Sequence, residues 1–335
     1  MDAAHWEKEG AIKVIDLAIP TVQPGHVLVR VAASGLCGTD MHICHGETPH
    51  ATKGVVIGHE FSGHIEAIHE SVRTTLKVGD LVAIDPNMPC NGCTFCRNKK
   101  YHLCPNLECI GVTVNGGMAQ YVSVPIRAAV PVPAEVSPIV AALSEPLSCV
   151  IHAVDLGQIH TGDRVLVIGA GPIGLMTMAL CANSGARVSV IEPNDLRRTN
   201  ALNHFGASEA YAPGELTIGD PLQGHGFDVV FECVGRAETM ASALTFAKCG
   251  ATIVWVGVAR TDAEVVVKPF DVYRRELTIK STYTNPYGME RAVKVLADNK
   301  IQWRQLITHE FPMSQFDEAW QVFTSGQGMK VVITP

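Results

Sequence analysis

The chain lacks an excess of basic side chains: its 26 lysines and arginines are scattered among 33 acidic residues, for a net charge of −7. Nucleic acids and acidic membrane surfaces attract clustered positive charge, so we expect neither as a partner. No run of about 18 apolar residues is present that could cross a bilayer. The first residues also lack the basic and then apolar segments of a secretory signal, so we expect a cytoplasmic protein.

Charged residues are scarce as well, at 18%, whereas 47% of the residues are hydrophobic. This balance excludes a disordered chain and provides enough apolar surface for sizeable cores. A length of 335 residues predicts about two domains.

Two kinds of pattern divide the chain. In the first part, short apolar strands alternate with glycine and proline turns, which is typical of a β-rich, barrel-like domain. Further on, β-branched strands alternate with helical stretches, which predicts a parallel, doubly wound sheet. That sheet can be complete by residue 283, so the tail returns to the first domain. We therefore predict an α/β protein with a β-rich domain at 1–150 and 286–335 and a dinucleotide-binding domain at 151–285.

The eleven cysteines are an odd number and do not indicate a disulfide framework in a chain without a secretory signal. Four of them are closely spaced in one loop, at Cys90, Cys93, Cys96 and Cys104. Four thiolates complete a tetrahedral zinc shell at about 2.3 Å and leave no open position. The loop therefore predicts a structural zinc site, with an iron–sulfur cluster or unliganded buried cysteines as the alternatives.

A second candidate metal site combines a thiol, an imidazole and two carboxylates. A zinc ion that takes part in chemistry needs about three protein ligands and one exchangeable position. A soft and a hard ligand together keep the metal electrophilic enough to acidify a bound alcohol. Spacing alone fits a core cysteine and a surface His–Glu pair equally well. The candidate ligands are Cys37, His59, Glu60 and Glu145.

Thr39 and His42 lie two and five residues after Cys37. At that spacing they are candidates for handing a proton from a metal-bound hydroxyl to water. The alternative is a hydroxyl that caps a turn and a histidine that is simply exposed.

A glycine-rich loop directly follows a predicted strand and opens a predicted helix. The first glycine makes the turn, the second lets the backbone approach a pyrophosphate, and the third packs the helix on the strand. The helix N-terminus then offers N–H donors to phosphate. The loop predicts a dinucleotide site at Gly169, Gly171, Pro172, Ile173 and Gly174.

Glu192 ends the next predicted strand. An acid at this point accepts hydrogen bonds from the adenosine ribose and repels a 2′-phosphate, which favours NAD over NADP. Arg197 and Arg198 lie nearby and weaken this preference, since an arginine can receive the extra phosphate. The alternative for Glu192 is a solvated strand end.

Taken together, the order and separation of these motifs resemble the zinc-containing medium-chain alcohol and polyol dehydrogenases, in particular the sorbitol dehydrogenase-like branch. The resemblance runs essentially end to end. It implies a GroES-like β domain, a Rossmann domain, two zinc ions per chain, NAD, a polyol-type small-molecule substrate and a homodimer or homotetramer. It rests on Gly35–Asp40, Gly58–Glu60, the four-cysteine loop, Glu145–Leu147 and the glycine loop.

The resemblance also assigns roles to individual residues. It implies Cys37 and His59 at the catalytic zinc, together with Glu60, Glu145 or both. Alcohol-type relatives have a cysteine at the position of Glu145, which favours the polyol-like branch. The nicotinamide half of the cofactor is expected to be lined by Cys233, Val234, Val256, Gly257, Val258, Thr282, Tyr283 and Thr284.

One departure concerns the substrate. Animal sorbitol dehydrogenases carry an Arg-Tyr pair just after the last Rossmann strand, where this chain has Thr284–Tyr287. Sorbitol itself is therefore not predicted, and another polyol, a sugar acid or a polyol phosphate stays open. The alternatives are threonine dehydrogenase-like or other alcohol dehydrogenase activity, and a non-catalytic NAD-binding protein. A zinc-free quinone or enoyl reductase is disfavoured because such relatives lack this ligand set.

Overall fold

The computed structural model describes residues 1–8, 10–298 and 300–335. These residues form two compact units, one made of Met1–Ser148 with Asn285–Pro335 and the other of Cys149–Thr284. Both ends of the chain thus belong to the first unit. In the described part of the chain, no helix is long and apolar enough to cross a membrane.

The elements are numbered in chain order. The strands are β1 (Asp2–Lys8), β2 (Ala11–Asp16), β3 (His26–Gly35), β4 (Glu60–Ile68), β5 (Leu81–Ile84), β6 (Asn87–Met88), β7 (Glu108–Cys109), β8 (Tyr121–Pro125), β9 (Ala129–Pro131), β10 (Arg164–Ile168), β11 (Arg187–Ile191), β12 (Ala207–Tyr211), β13 (Phe227–Glu232), β14 (Ala247–Trp255), β15 (Thr278–Ser281), β16 (Ile307–Pro312) and β17 (Lys330–Thr334). The α-helices are α1 (Gly38–Cys44), α2 (Thr94–Arg97), α3 (Pro138–Ala141), α4 (Ser144–Gly157), α5 (Pro172–Asn183), α6 (Asp195–His204), α7 (Ala237–Phe246), α8 (Pro269–Arg275), α9 (Met289–Ala297) and α10 (Phe316–Thr324).

The first unit is organised around a seven-stranded sheet in the order β16-β17-β3-β4-β5-β9, with β8 also paired to β3. Alternate residues of β3, such as Val27, Val29 and Val31, are buried against Phe61 and Ile65 of β4. This period of two is what a strand with one core-facing side requires. The sheet therefore holds the ends of β3 and β4 side by side.

The C-terminal strand β17 lies beside β3 in this sheet. Val332 and Ile333 pair with Gly35 and Ser34 in antiparallel register. The pairing thereby brings β17, near the end of the sequence, next to the loop that follows β3, about 300 positions earlier in the chain.

The second unit contains a six-stranded parallel sheet in the order β12-β11-β10-β13-β14-β15. This is the doubly wound strand order of a dinucleotide-binding domain, and it confirms the predicted Rossmann architecture. The inner strands are buried on both faces, as their runs of Val and Ile indicate; β10, for example, is buried from Val165 to Ile168. Strand order reverses between β10 and β13, so the loops after these two strands flank the switch point at which ligands bind in such sheets.

Candidate metal centres and dinucleotide site

The four cysteines of the loop lie together, with all four sulfur atoms within 4.8 Å of one another. Cys93 Sγ is 3.5 Å from Cys96 Sγ and 3.9 Å from Cys104 Sγ. Sulfurs bonded to one tetrahedral zinc at about 2.3 Å are about 3.8 Å apart, whereas a disulfide bond is about 2.05 Å. The geometry thus fits a closed four-thiolate zinc site.

The backbone conformation of the loop brings the four cysteines together. Asn91 and Lys99 adopt left-handed conformations, which fold the chain back on itself. Backbone N–H groups lower the pKa of Cys90 to about 6, whereas burial, reinforced by hydrogen bonds from Cys93 and Cys104, raises the pKa of Cys96 to about 12. The pKa values of Cys90 and Cys96 are thus shifted in opposite directions, and a cation bound between the two sulfurs would favour the thiolate form of both.

Three residues of the second predicted metal site also lie together. The ligand atoms of Cys37, His59 and Glu60 are all within 4.8 Å of one another, and His59 and Glu60 are buried. Cys37 precedes α1 just after β3, His59 directly precedes β4 and Glu60 begins it, so the β3–β4 pairing assembles the cluster. Glu145, in the first turn of α4, is also buried but does not belong to this group of mutually close ligand atoms.

Asp40 supports two members of this cluster, and the sequence analysis assigns it no role. It is fully buried, and its Oδ2 accepts a hydrogen bond from the Cys37 backbone N–H at 2.9 Å. Its Oδ1 lies 3.6 Å from Nδ1 of His59. A carboxylate behind a histidine fixes the ring orientation and makes the other nitrogen a better metal ligand. The signal was present in the sequence, since Asp40 stands at the third position of α1, where acids pair with the N-cap backbone.

Lys330 of β17 is a second residue that the sequence analysis misses. Its side chain is almost fully buried, pairs with the Glu60 carboxylate and donates a hydrogen bond to the Leu36 carbonyl at 3.0 Å. Burial by itself would lower the pKa of Lys330, but the charges of Glu60 and Cys37 hold it above its usual value. A lysine among the apolar residues Val331–Ile333 is the sequence signal for such a buried charge.

The electrostatics of the cluster favour a cation. Burial, together with the nearby charge of Glu60, raises the pKa of the Cys37 thiol. Burial would lower the pKa of His59, but Cys37 and Asp40 raise it well above its usual value. A thiolate in this place therefore needs positive charge close by, which a divalent metal held by thiolate, imidazole and carboxylate would supply.

The two candidate proton carriers lie on α1. Thr39 Oγ1 is 3.7 Å from Cys37 Sγ, so the hydroxyl is next to the cluster. His42 is partly exposed, and its Nδ1 lies 2.6 Å from Oε2 of Glu47. The helix thus presents a hydroxyl near the ligand atoms and an imidazole–carboxylate pair towards solvent.

The predicted glycine loop joins β10 to α5. Gly169 has φ of +99°, and Gly171 is the N-cap that precedes Pro172 and Ile173 in the first turn. A Cβ on Gly174 would collide with the carbonyl of Gly169, whereas a Cβ on Gly171 would meet no described atom within 4 Å. Gly171 is therefore not required for packing, and its open backbone at a helix N-terminus fits a phosphate.

Glu192 follows β11 and is turned inward. Its Oε2 accepts from the Ala170 N–H at 2.8 Å and its Oε1 from the Asn194 N–H at 3.0 Å, so it is a buried brace rather than a solvated strand end. Arg198 donates to the Glu192 and Pro193 carbonyls and pairs with Asp195. The backbone N–H of Arg197 donates a hydrogen bond to Oδ1 of Asn194, the residue that caps α6.

The segments expected around the nicotinamide follow three neighbouring strands at the same edge of the sheet. Cys233 and Val234 follow β13, Val256, Gly257 and Val258 follow β14, and Thr282, Tyr283 and Thr284 follow β15. Val258 and Tyr283 are exposed. At this edge of the sheet, within the described part of the chain, three buried polar atoms have no hydrogen-bond partner: Nε1 of Trp255 and the hydroxyls of Thr282 and Thr284. Such atoms are rare in proteins unless a ligand or water satisfies them, so they fit a polar cofactor.

The chain matches two protein-family models. Residues 23–134 match the alcohol dehydrogenase GroES-like domain, which confirms that part of the predicted fold class, and residues 172–298 match the zinc-binding dehydrogenase model. The chain is 31% identical to D-arabinitol dehydrogenase 1 of Uromyces fabae, over 100% of this chain and 97% of that protein.

Solved structures agree over the full length. A zinc-binding dehydrogenase of Sinorhizobium meliloti 1021 bound to NADP is 35% identical, with a TM-score of 0.92 and coverage of 100% of this chain and 99% of that one. An alcohol dehydrogenase of Escherichia coli CFT073 complexed with NADH is 31% identical, with a TM-score of 0.91 and the same coverage. With its two metal-ligand clusters and its glycine loop, the chain thus belongs to the zinc-containing medium-chain alcohol and polyol dehydrogenases.

Proposed function

We propose that this protein is a zinc-dependent, NAD-linked dehydrogenase that interconverts a polyol-type secondary alcohol and its carbonyl compound. The substrate class comprises sugar alcohols, sugar acids and polyol phosphates. The observation that carries the proposal is the buried cluster of Cys37, His59 and Glu60, because it combines the ligand types of a reactive zinc site. Likeness to a D-arabinitol dehydrogenase supports the polyol class.

The residues of the cluster would hold zinc, which, when bound, polarises an alcohol oxygen and lowers its pKa. Asp40 faces Nδ1 of the His59 ring with its carboxylate, and Lys330 balances the charge of Glu60. Thr39 Oγ1 would take up the alcohol proton while giving up its own, and His42, backed by Glu47, would pass that proton to solvent. Hydride transfer itself is the chemistry of the nicotinamide cofactor.

The two glutamates are proposed to exchange roles. Four protein ligands would fill a tetrahedral zinc and leave no position for substrate. Glu60, which belongs to the close group, and Glu145, which does not, would therefore hold the metal at different stages or through water. Cys37 and His59 are the permanent ligands.

NAD is proposed as the preferred cofactor, because the Glu192 carboxylate lies at the strand end where a 2′-phosphate would be repelled. The relatives include structures with either dinucleotide, so kinetics must decide. We expect a higher kcat/KM with NAD than with NADP. Glu192 also accepts a hydrogen bond from the glycine loop. Glu192→Ala should therefore reduce the ratio of kcat/KM with NAD to kcat/KM with NADP, and it should weaken the binding of both cofactors.

A homodimer or homotetramer is proposed for the assembled enzyme. The edge strand β15 and the adjacent helix α8 leave Phe270 and Tyr273 largely exposed, and a second copy would cover them. Sedimentation velocity at several protein concentrations gives the mass directly.

The function is tested with purified protein, NAD and a panel of polyols, sugar acids and polyol phosphates, with NADH formation read by absorbance. L-Threonine and simple secondary alcohols form the second arm of the panel. Turnover of a polyol-type compound with the highest kcat/KM supports the proposal. No turnover by zinc-loaded protein that binds NADH would instead indicate a non-catalytic NAD-binding protein.

A further inference from the structure

Glu232, the last residue of β13, is a fully buried acid that the reaction described above does not use. Its Oε1 accepts hydrogen bonds from the backbone N–H groups of Val234 at 2.8 Å and Gly235 at 2.9 Å. Thr239 Oγ1, in the first turn of α7, lies 2.8 Å from the same oxygen. Among the described residues no lysine or arginine pairs with Glu232, so hydrogen-bond donors alone compensate for its burial.

The main chain of Glu232 holds a second loop. Its carbonyl oxygen accepts from the N–H groups of Val256 at 2.8 Å and Gly257 at 2.9 Å. One residue therefore anchors both 233–235 with its carboxylate and 256–258 with its carbonyl. These are two of the segments expected around the nicotinamide.

The two loops are also locked to each other through glycines. A Cβ on Gly257 would collide with the Gly235 backbone, and Gly235 itself has φ of +82°, which favours glycine. Loop 233–235 in turn lies against the glycine loop, since a Cβ on Gly169 would be 2.8 Å from a methyl carbon of Val234. Residues 233–235 are therefore packed against loop 256–258 on one side and against Gly169 on the other.

We propose that Glu232 is a positioning residue for the nicotinamide half of the dinucleotide: its buried carboxylate fixes loop 233–235 against loop 256–258 in the conformation that receives the nicotinamide nucleoside. The proposal rests on the proposed NAD-linked function. Glu232 acts through these loops and does not itself contact the cofactor, because its carboxylate is buried among backbone donors. The adenosine half, which faces the glycine loop and Glu192, is independent of Glu232.

The test compares two ligands on the full-length zinc-loaded protein. NADH contains both halves of the dinucleotide, and ADP contains only the adenosine diphosphate half. Dissociation constants for both, from fluorescence or calorimetry, are measured for wild type and for Glu232→Gln. This substitution removes the negative charge that Val234, Gly235 and Thr239 face, and it places an N–H₂ where Oε2 accepts from the Gly235 N–H at 3.2 Å. Because hydrogen bonds to a charged group are strong, we expect about a 10- to 100-fold loss of NADH affinity and about a twofold change or less for ADP.

Thr239 provides a milder pair of variants if Glu232→Gln does not fold. Thr239→Val removes only the hydroxyl that faces Glu232 and should weaken the binding of NADH several-fold. Thr239→Ser keeps the hydroxyl and should bind NADH with the affinity of wild type. Glu215→Gln is the matched control, because this exposed glutamate also accepts a backbone hydrogen bond, from Ala212, but on a loop away from these segments.

The outcomes separate this proposal from the proposed function. If the affinities for NADH and ADP fall equally in Glu232→Gln and Thr239→Val, or neither affinity falls, Glu232 serves only the fold and the proposal is overturned. If wild-type protein binds neither ligand, the NAD-linked function fails first, and the proposal fails with it. A selective loss of NADH affinity with unchanged ADP affinity supports both.

Discussion

At the scale of single residues, the metal cluster depends on a buried ion pair from opposite ends of the sequence. Lys330 and Glu60 are 4% and 2% exposed, so neither charge can be solvated if the other is removed. Loss of one partner from a buried pair is costly because it leaves an uncompensated charge, typically about 3–5 kcal/mol. The pair therefore couples the C-terminal strand to the metal site.

Lys330→Met should lower the free energy of unfolding by about 3 kcal/mol or more, because methionine fills the volume but leaves Glu60 buried without a cation. Lys300→Met is the matched control: Lys300 pairs with Asp298 at 2.7 Å on the surface, where such pairs contribute about 1 kcal/mol or less. Urea denaturation of both variants measures the difference. Equal losses in the two variants would mean that the buried pair contributes no more than a surface pair.

The two glutamates make separate predictions about zinc. Glu145→Ala should lose most of the activity but keep the catalytic zinc, because its carboxylate is not part of the close ligand group. Cys37→Ser should lose or greatly weaken that zinc. Zinc content and kcat are measured on both variants. Should Glu145→Ala lose zinc as completely as Cys37→Ser, Glu145 is a permanent ligand and the exchange of roles is wrong.

The sequence predicts the residue types at the site better than it predicts what supports them. Cys37, His59 and Glu60 come together as their motifs indicate, since a metal site needs a particular set of donor atoms. Asp40 and Lys330 are not predicted, because their roles come from tertiary contacts across β3, β4 and β17. Neighbours in sequence can mark a charge as buried or capping, but only the tertiary pairing of strands identifies its partner.

At the scale of elements, the glycine loop before α5 separates packing from ligand binding. Gly174→Ala should destabilise the protein, because its Cβ would collide with the Gly169 carbonyl. Gly171→Ala should leave the melting temperature nearly unchanged but weaken ADP and NADH, because the added methyl group enters open space at the helix N-terminus. Thermal melts and binding titrations distinguish the two. Unchanged ADP affinity in Gly171→Ala would contradict a phosphate at this position.

The four-cysteine loop is predicted to owe its order to zinc. Cys96→Ser should reduce the zinc content from two ions to one and lower the melting temperature, because structural zinc contributes folding free energy. Cys249→Ser is the control, since Cys249 is exposed on β14 outside both clusters. Metal analysis and thermal melts are sufficient. A Cys96→Ser protein that is equally stable and retains both metals would contradict the assignment.

Elements whose residues carry the expected periodicity are predictable from the sequence, and others are not. The runs at β10 and β11 and the helical stretch at α5 agree with their patterns within a residue or so. The strand β12, with the sequence Ala-Ser-Glu-Ala-Tyr, has no β-branched residue and forms because it pairs with β11. Pairing with a neighbouring strand can override the weak intrinsic preference of these residues for β structure, so the sequence of β12 does not predict a strand.

At the scale of the whole molecule, the chain builds its first unit from both ends and its second from the middle. This arrangement follows from the sheet register, because β17 can complete the first sheet only after the six parallel strands are finished. The alternation of strands and helices predicts the second unit, whereas the return of the tail is an inference from topology.

Zinc-dependent, NAD-linked oxidation of a polyol is the reaction that we propose for this chain. The most direct test follows NADH formation with the best substrate of the polyol panel for protein as purified, after removal of metal by a chelator, and after zinc is restored. We expect turnover that is lost with the metal and regained with zinc, in proportion to occupancy of the site formed by Cys37 and His59. Turnover that persists undiminished in metal-free protein would contradict it.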